Sequence, residues 1–230
     1  MRRKNRRKSA ALRRLRVGGE LWLRDIGNIL AHGPGAPRHS ELIYVDTRAC
    51  RRMMRISRWE HLGLDSARIV SDWPWEIVEP LESEKIKCCV RHWAAGQSWE
   101  ETGIFQFMNR RRLERPSLDG CRTHEDTVAR YARLDRIFAE VQAAGRLQTR
   151  QELTPGGERE RGAPVVHVGP DGEPFFGGVG YHRFAIAHIL DLPLPAVVGA
   201  VHRSALAVYP GFRLPPTPVG KAELGMQASR

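Results

Sequence analysis

From Gly177 to Arg203 the chain reads GGVGYHRFAIAHILDLPLPAVVGAVHR. Three glycines run into Tyr181, His182 and Arg183, and an apolar run with helical spacing follows. The first N–H groups of a helix have no intrahelical acceptor. The helix dipole adds positive character at the same end, so such a junction suits an oxyanion, most often a phosphate. Gly178 and Gly180 let the backbone bend and approach a ligand with no Cβ in the way. Arg183 offers a planar fork for phosphate oxygens. His182 can donate to the same anion or titrate near neutral pH, and Tyr181 can pack a base or a sugar. His202 and Arg203 close the following apolar run and are expected to flank the same pocket, because residues at sheet ends often reach ligands. The competing reading is a turn of purely geometric origin, with Arg183 paired to a nearby carboxylate. Neither GxxxxGK[ST] nor GxGxxG occurs, which sets aside the ordinary P-loop and dinucleotide-binding patterns.

Other reactive residue types are less ordered. Cys50, Cys88, Cys89 and Cys121 form no C-x-x-C spacing, so no metal site is expected from them. Cys88 and Cys89 are expected as small packing residues. His124, Glu125 and Asp126 suit the start of a helix, where acids complement the dipole. Trp73, Trp75, Trp93 and Trp99 are read as core, since large aromatic area favours packing. No general base is fixed by spacing. A phosphoryl-transfer enzyme would need an acidic metal-holding residue, for which Glu152, Glu158 and Asp171 are candidates by proximity alone.

The elements that must position the junction can be read around it. APVVHVG is a strand, PDGEP a turn and FFGG a short second strand; a helix over 182–190 and the strand PAVVGAV follow. Upstream, residues 124–145 form the strongest helix, with Tyr131, Leu134, Phe138 and Val141 on one face and Gly145 as its stop. Residues 80–125 read as helical, with SWEE (98–101) as a capping box. Residues 20–30 have helical spacing, 31–40 read as a linker, and ELIYVDTRAC (41–50) reads as a strand. MNRRRLERP (108–116) is a basic run, read as a solvated face or a nucleic-acid contact. The expected fold class is a compact α+β domain over 41–210, with a helical insertion at about 80–125 and a loose C-terminal tail over 211–230.

The formal net charge is +11 over 230 residues. Nine Lys or Arg and no acid fall in the first sixteen residues, leaving +2 for the rest. A basic N-terminal tail over 1–20 is therefore expected, either solvated or in contact with nucleic-acid phosphates. No apolar run approaches the roughly 20 residues needed to span a bilayer. No apolar segment follows the basic start. The expectation is a cytoplasmic protein with no membrane partner.

The segment GEPFFGGVGYHRFAIAHILDLPLPAVVGAVH resembles the signature of the ParB/sulfiredoxin-like superfamily. That signature has a strand, a Gly-x-His-Arg or Gly-Glu-Arg-Arg box, a helix RxxAxxxLG and a closing IPVxV strand. Here the box is Gly180-Tyr181-His182-Arg183, and Asp191-Leu192 replaces the usual Leu-Gly. LDRIFAEVQAAGRLQT is similar to the family's preceding helix, and LIYVDTRA to its first strand. The resemblance covers roughly 130–205. DWPWEIVEPLESEKIKCCVRHWAAGQSWEET looks like an insertion found in ParB-like proteins of unknown function. The resemblance implies nucleotide binding with phosphates on Gly180, His182 and Arg183, and ATP or CTP, with or without Mg2+, as cofactor. Partition proteins of this superfamily use CTP as a DNA-clamp switch, sulfiredoxins use ATP and a cysteine in the box, some relatives phosphorylate free serine, and others are described as nucleases. The sulfiredoxin cysteine position is Tyr181, which cannot act as a thiol nucleophile. No helix-turn-helix is read downstream. The implied function is a regulatory or DNA-associated nucleotide-binding module, with a kinase-like or nuclease-like enzyme as the alternative.

Overall fold

The computed structural model describes residues 19–54, 66–115, 118–156, 159–160 and 162–215. Most of the basic tail, Glu158 and residues 216–230 lie outside them. Helix α1 covers 19–32. The strands are β1 (Leu42–Val45), β2 (Arg52–Met54), β3 (Ile69–Val70), β4 (Val78–Pro80), β5 (Val165–Val168), β6 (Pro174–Phe176) and β7 (Leu194–His202). The remaining α-helices are α2 (Glu84–Cys89), α3 (Ile104–Glu114), α4 (His124–Ala144), α5 (Arg150–Leu153) and α6 (Tyr181–Leu190).

Among the described residues the strands form one mixed sheet, in the order β1-β7-β5-β6-β2-β4, with β3 also on β7. β7 is buried along almost its whole length. It lies antiparallel to β1 and parallel to β5 and β3, which is why its sequence is continuously apolar rather than alternating. The helix–sheet combination is the α+β class expected from the sequence, and no described helix is long and apolar enough to cross a membrane.

α6 lies between two cores. Phe184, Ile186 and Ala187 pack with Ile43, Val45, Val166, Val168, Phe176 and Val198 of the sheet. On its other side Ala185 joins Cys88, Cys89, Trp99, Ile104, Met108, Tyr131 and Leu134 of α2–α4. The opposite sheet face is smaller: Phe175, Met54 and Ala200 pack under Trp73. The region at 80–125 is therefore one wall of the core around α6, not an appendage.

α4 has clear local causes. The Thr123 hydroxyl accepts from Asp126 N at 3.1 Å, and the Asp126 carboxylate accepts from Thr123 N at 3.0 Å, a reciprocal cap. Gly145 ends the helix in the left-handed region, at φ +63°. Several expectations need correction. The SWEE box forms, with Glu101 accepting from Ser98 N at 2.7 Å, yet it closes a turn, and α3 starts later, after Gly103. Residues 19–20 and 31–32 belong to α1 rather than to tail and linker. Tyr209–Arg213 is an ordered 3-10 turn. Fully buried Tyr209 donates to Glu41 at 2.8 Å and Arg213 donates to the same carboxylate at 2.6 Å, so the chain is still packed beyond 211. Trp75 is half exposed and covers the Arg52 guanidinium at 5.0 Å, whereas Trp73 and Trp99 are buried as expected.

Candidate anion site at the start of α6

The glycine run leaves β6 at Gly177, whose N–H donates to Val165 O at 2.8 Å. Gly178 and Gly180 both take positive φ, +73° and +83°. Gly180 leads directly into α6, and a Cβ there would lie 2.7 Å from Pro164 Cγ and 3.0 Å from Pro164 Cα. Only glycine meets both demands. No side chain caps the helix, so its first turn keeps its dipole and N–H groups for another acceptor.

The box side chains divide between two sides. Tyr181 packs edge-on against Phe176, with ring centroids 5.1 Å apart. The Lys85 ammonium, from α2, lies 5.6 Å from the Tyr181 ring centroid. His182 is buried, with Nε2 3.2 Å from the Tyr131 hydroxyl. Burial, and then the charges of Arg130 and Lys85, push its imidazole down to about 3, against the pull of Asp119. His182 is therefore neutral at pH 7 and serves as a hydrogen-bonded anchor, not as the cation suggested by its type. Arg183 turns the other way and donates to Gln148 O, in the segment between α4 and α5. Its buried Nε meets no acceptor among the described residues. Burial lowers its guanidinium, with Glu160 opposing.

Three residues that sequence reasoning did not assign complete the surroundings. Lys85 pairs with Asp119, and the two side chains are only 11% and 26% exposed. Arg130 of α4 donates to the Asp119 carbonyl at 3.0 Å. Burial pushes the Asp119 carboxyl up, but Lys85, Arg130 and His182 outweigh it and hold it below the usual carboxylate range. The cluster joins residues up to 97 positions apart in sequence (Lys85 and His182), so local periodicity carries no sign of it. One local signal existed: Asp119-Gly120 is a hairpin-turn dipeptide.

Gly178, Gly180, Tyr181, His182 and Arg183 are thus brought together. His202 and Arg203 are not with them. β7 passes Val165 at Val197, near the start of α6, and pairs with β3 at Val201 and, at its end, at His202. Five residues of strand separate these points, roughly 16 Å. There His202 Nε2 bonds to Ser71 O at 2.7 Å and Nδ1 faces Ser204 Oγ at 2.8 Å, while Arg203 opens an exposed 3-10 turn. The acidic candidates are scattered too. Glu152 caps α5 through Thr149 N at 2.6 Å, and Asp171 occupies a turn at φ +59°. Among the described residues no three His, Cys, Asp or Glu side chains gather as a metal site.

All four cysteines are buried and unbridged. Burial pushes the Cys50 and Cys89 thiols up to about 12, so both remain protonated and act as packing groups. The assembled groups can bind and neutralise an anion: a helix start, a lysine held by one carboxylate, and two arginines on opposite sides. Comparison with family models, with curated proteins and with solved structures finds no match to this chain.

Proposed function

We propose that this chain is a ParB-like nucleotide-binding module that seats the phosphates of ATP or CTP on the first turn of α6. The observation that carries the reading is the uncapped, glycine-led start of α6, on which Lys85 and Arg130 converge against the single carboxylate of Asp119. An oxyanion there gains oriented N–H donors and two nearby cations. The box supplies the backbone and Arg183; the helical wall supplies the remaining charge. Tyr181, half-buried beside the glycines, would contact the sugar or base. A regulatory or DNA-associated role follows from the resemblance and from the basic N-terminal run. The grouped residues bind charge, and none is posed as a general base, so binding rather than phosphoryl transfer is the reading stated.

Calorimetric titration with ATP, CTP and GTP, with and without Mg2+, tests this. Wild type should bind at least one of them. Charge-assisted hydrogen bonds contribute about 1.5–3 kcal/mol, so Arg183→Ala should weaken binding by roughly ten- to a hundredfold. Arg183→Lys should recover only part, because it keeps the charge and loses the fork. No binding of any nucleotide at millimolar concentration to folded wild type would sink the proposal.

A further inference from the structure

The helical wall presents to α6 a carboxylate that the fold takes care to place. Leu118 and Cys121 exchange two backbone hydrogen bonds, at 3.2 and 2.9 Å. Between them Asp119 and Gly120 have φ of +54° and +81°, the two left-handed residues of a type I′ turn. Arg130 ties the turn to α4 through the Asp119 carbonyl. The turn therefore fixes the Asp119 side chain against Lys85, whose ammonium also faces the Tyr181 ring. Tyr181 is the first residue of α6. An ammonium nine-tenths buried needs a counter-charge, and Asp119 is its ion-pair partner among the described residues.

We infer that the Asp119 carboxylate is the internal counter-ion of the α6 site: it holds the Lys85 ammonium while the site is empty and yields it to an incoming nucleotide phosphate. The inference rests on the phosphate-binding reading above and deepens it. The Lys85 ammonium that would neutralise a phosphate is already paired with one carboxylate of the protein. A phosphate carries more charge than a carboxylate and more acceptor oxygens, so it can displace Asp119 from Lys85. The helical wall then sets the affinity of the site, and a charged occupant is favoured over a neutral one. No covalent step is involved.

The experiment compares CTP and ATP binding to wild type, Asp119→Asn, Lys85→Met and the double variant. Asparagine tolerates the left-handed backbone, so Asp119→Asn keeps the turn while removing the charge. A binding-competent state that is only fractionally populated costs affinity by that fraction. Releasing Lys85 should therefore tighten binding by about fivefold, the scale expected for a partly exposed ion pair. Lys85→Met should weaken binding by about tenfold. In the Lys85→Met background, Asp119→Asn should bring no gain. Unchanged or weaker binding by Asp119→Asn overturns the inference while leaving the site itself intact, as does a gain that persists without Lys85. Failure of wild type and Asp119→Asn alike to bind nucleotide overturns both readings. Carbon resonance titration of the Asp119 side chain in wild type keeps the test independent of the variants. Saturating nucleotide, which takes the ammonium from this carboxylate, should move its protonation to higher pH, and an unmoved protonation contradicts the inference.

Discussion

At the scale of residues, His182 ties stability to pH. In the unfolded chain its imidazole takes a proton near 6.5, and in the fold burial and the neighbouring Arg130 and Lys85 push it down to about 3. Between these values the unfolded state binds the extra proton. The native state is therefore at full strength above about pH 6.5 and loses roughly 1.4 kcal/mol per pH unit as the pH falls below it. Denaturant titrations at pH 7.5, 6.0 and 4.5 should show this acid slope in wild type and a shallower one in His182→Gln. Parallel slopes in the two proteins would mean that His182 is not shielded as described. Neutral His182 also bears on binding: its hydrogen bond to Tyr131 links the first turn of α6 to α4, and Arg183 is left as the cation of the box.

At the scale of elements, Asp135 fastens α2 to α4. After Cys89 the helix widens into a π-type turn over Val90–Ala94. From this turn His92 and Trp93 donate to Asp135 at 3.1 and 2.9 Å, and Trp99 donates to its other oxygen at 2.9 Å. His92 stacks on Trp99 at 3.9 Å, and Trp93 stacks on Phe138 at 4.7 Å. Asp135→Ala strips an acceptor from two indoles and an imidazole. Each such bond to a charged group contributes about 1.5–3 kcal/mol, without additivity. The variant should lose at least about 2 kcal/mol in denaturant unfolding and shift its tryptophan emission. Wild-type stability and emission would show that the cluster holds nothing together. Little of this was legible in the sequence. Periodicity finds α4, because Tyr131 and Leu134 repeat on one face and Gly145 stops it. It finds β5, β6, α6 and β7, because apolar runs alternate with turn residues. It misses β2, β3 and β4, which are two or three residues long, too short to show alternation. It also misses the Tyr209–Arg213 turn, whose order comes from Glu41, 168 positions away at Tyr209. At the site, the glycine box was legible as local chemistry. Lys85, Asp119 and Arg130 were not, since tertiary packing alone brings them to α6; His202 and Arg203 were misplaced because strand length, not sequence proximity, sets where β7 ends.

At the scale of the whole molecule, α6 is the buried member of a layered arrangement, with the sheet on one side and α2–α4 on the other. Its N-terminus is where these layers meet: β6 delivers the glycines, the segment after α4 receives Arg183, and α2 brings Lys85. A ligand there would contact all three layers at once, so binding should stiffen the domain and not only a surface loop. The N-terminal basic run carries nine Lys or Arg in its first sixteen residues, a composition suited to a polyanion. The central claim, that a nucleotide phosphate rests on the first turn of α6, is tested most directly by following backbone amide resonances of the full chain during titration with CTP and with ATP. The account predicts that the largest shifts fall on Gly178, Gly180, Tyr181, His182 and Arg183, with smaller ones at Lys85 and Asp119 and none at His202 or Arg203. Saturable shifts centred elsewhere, or no shifts with either nucleotide at millimolar concentration, would contradict it.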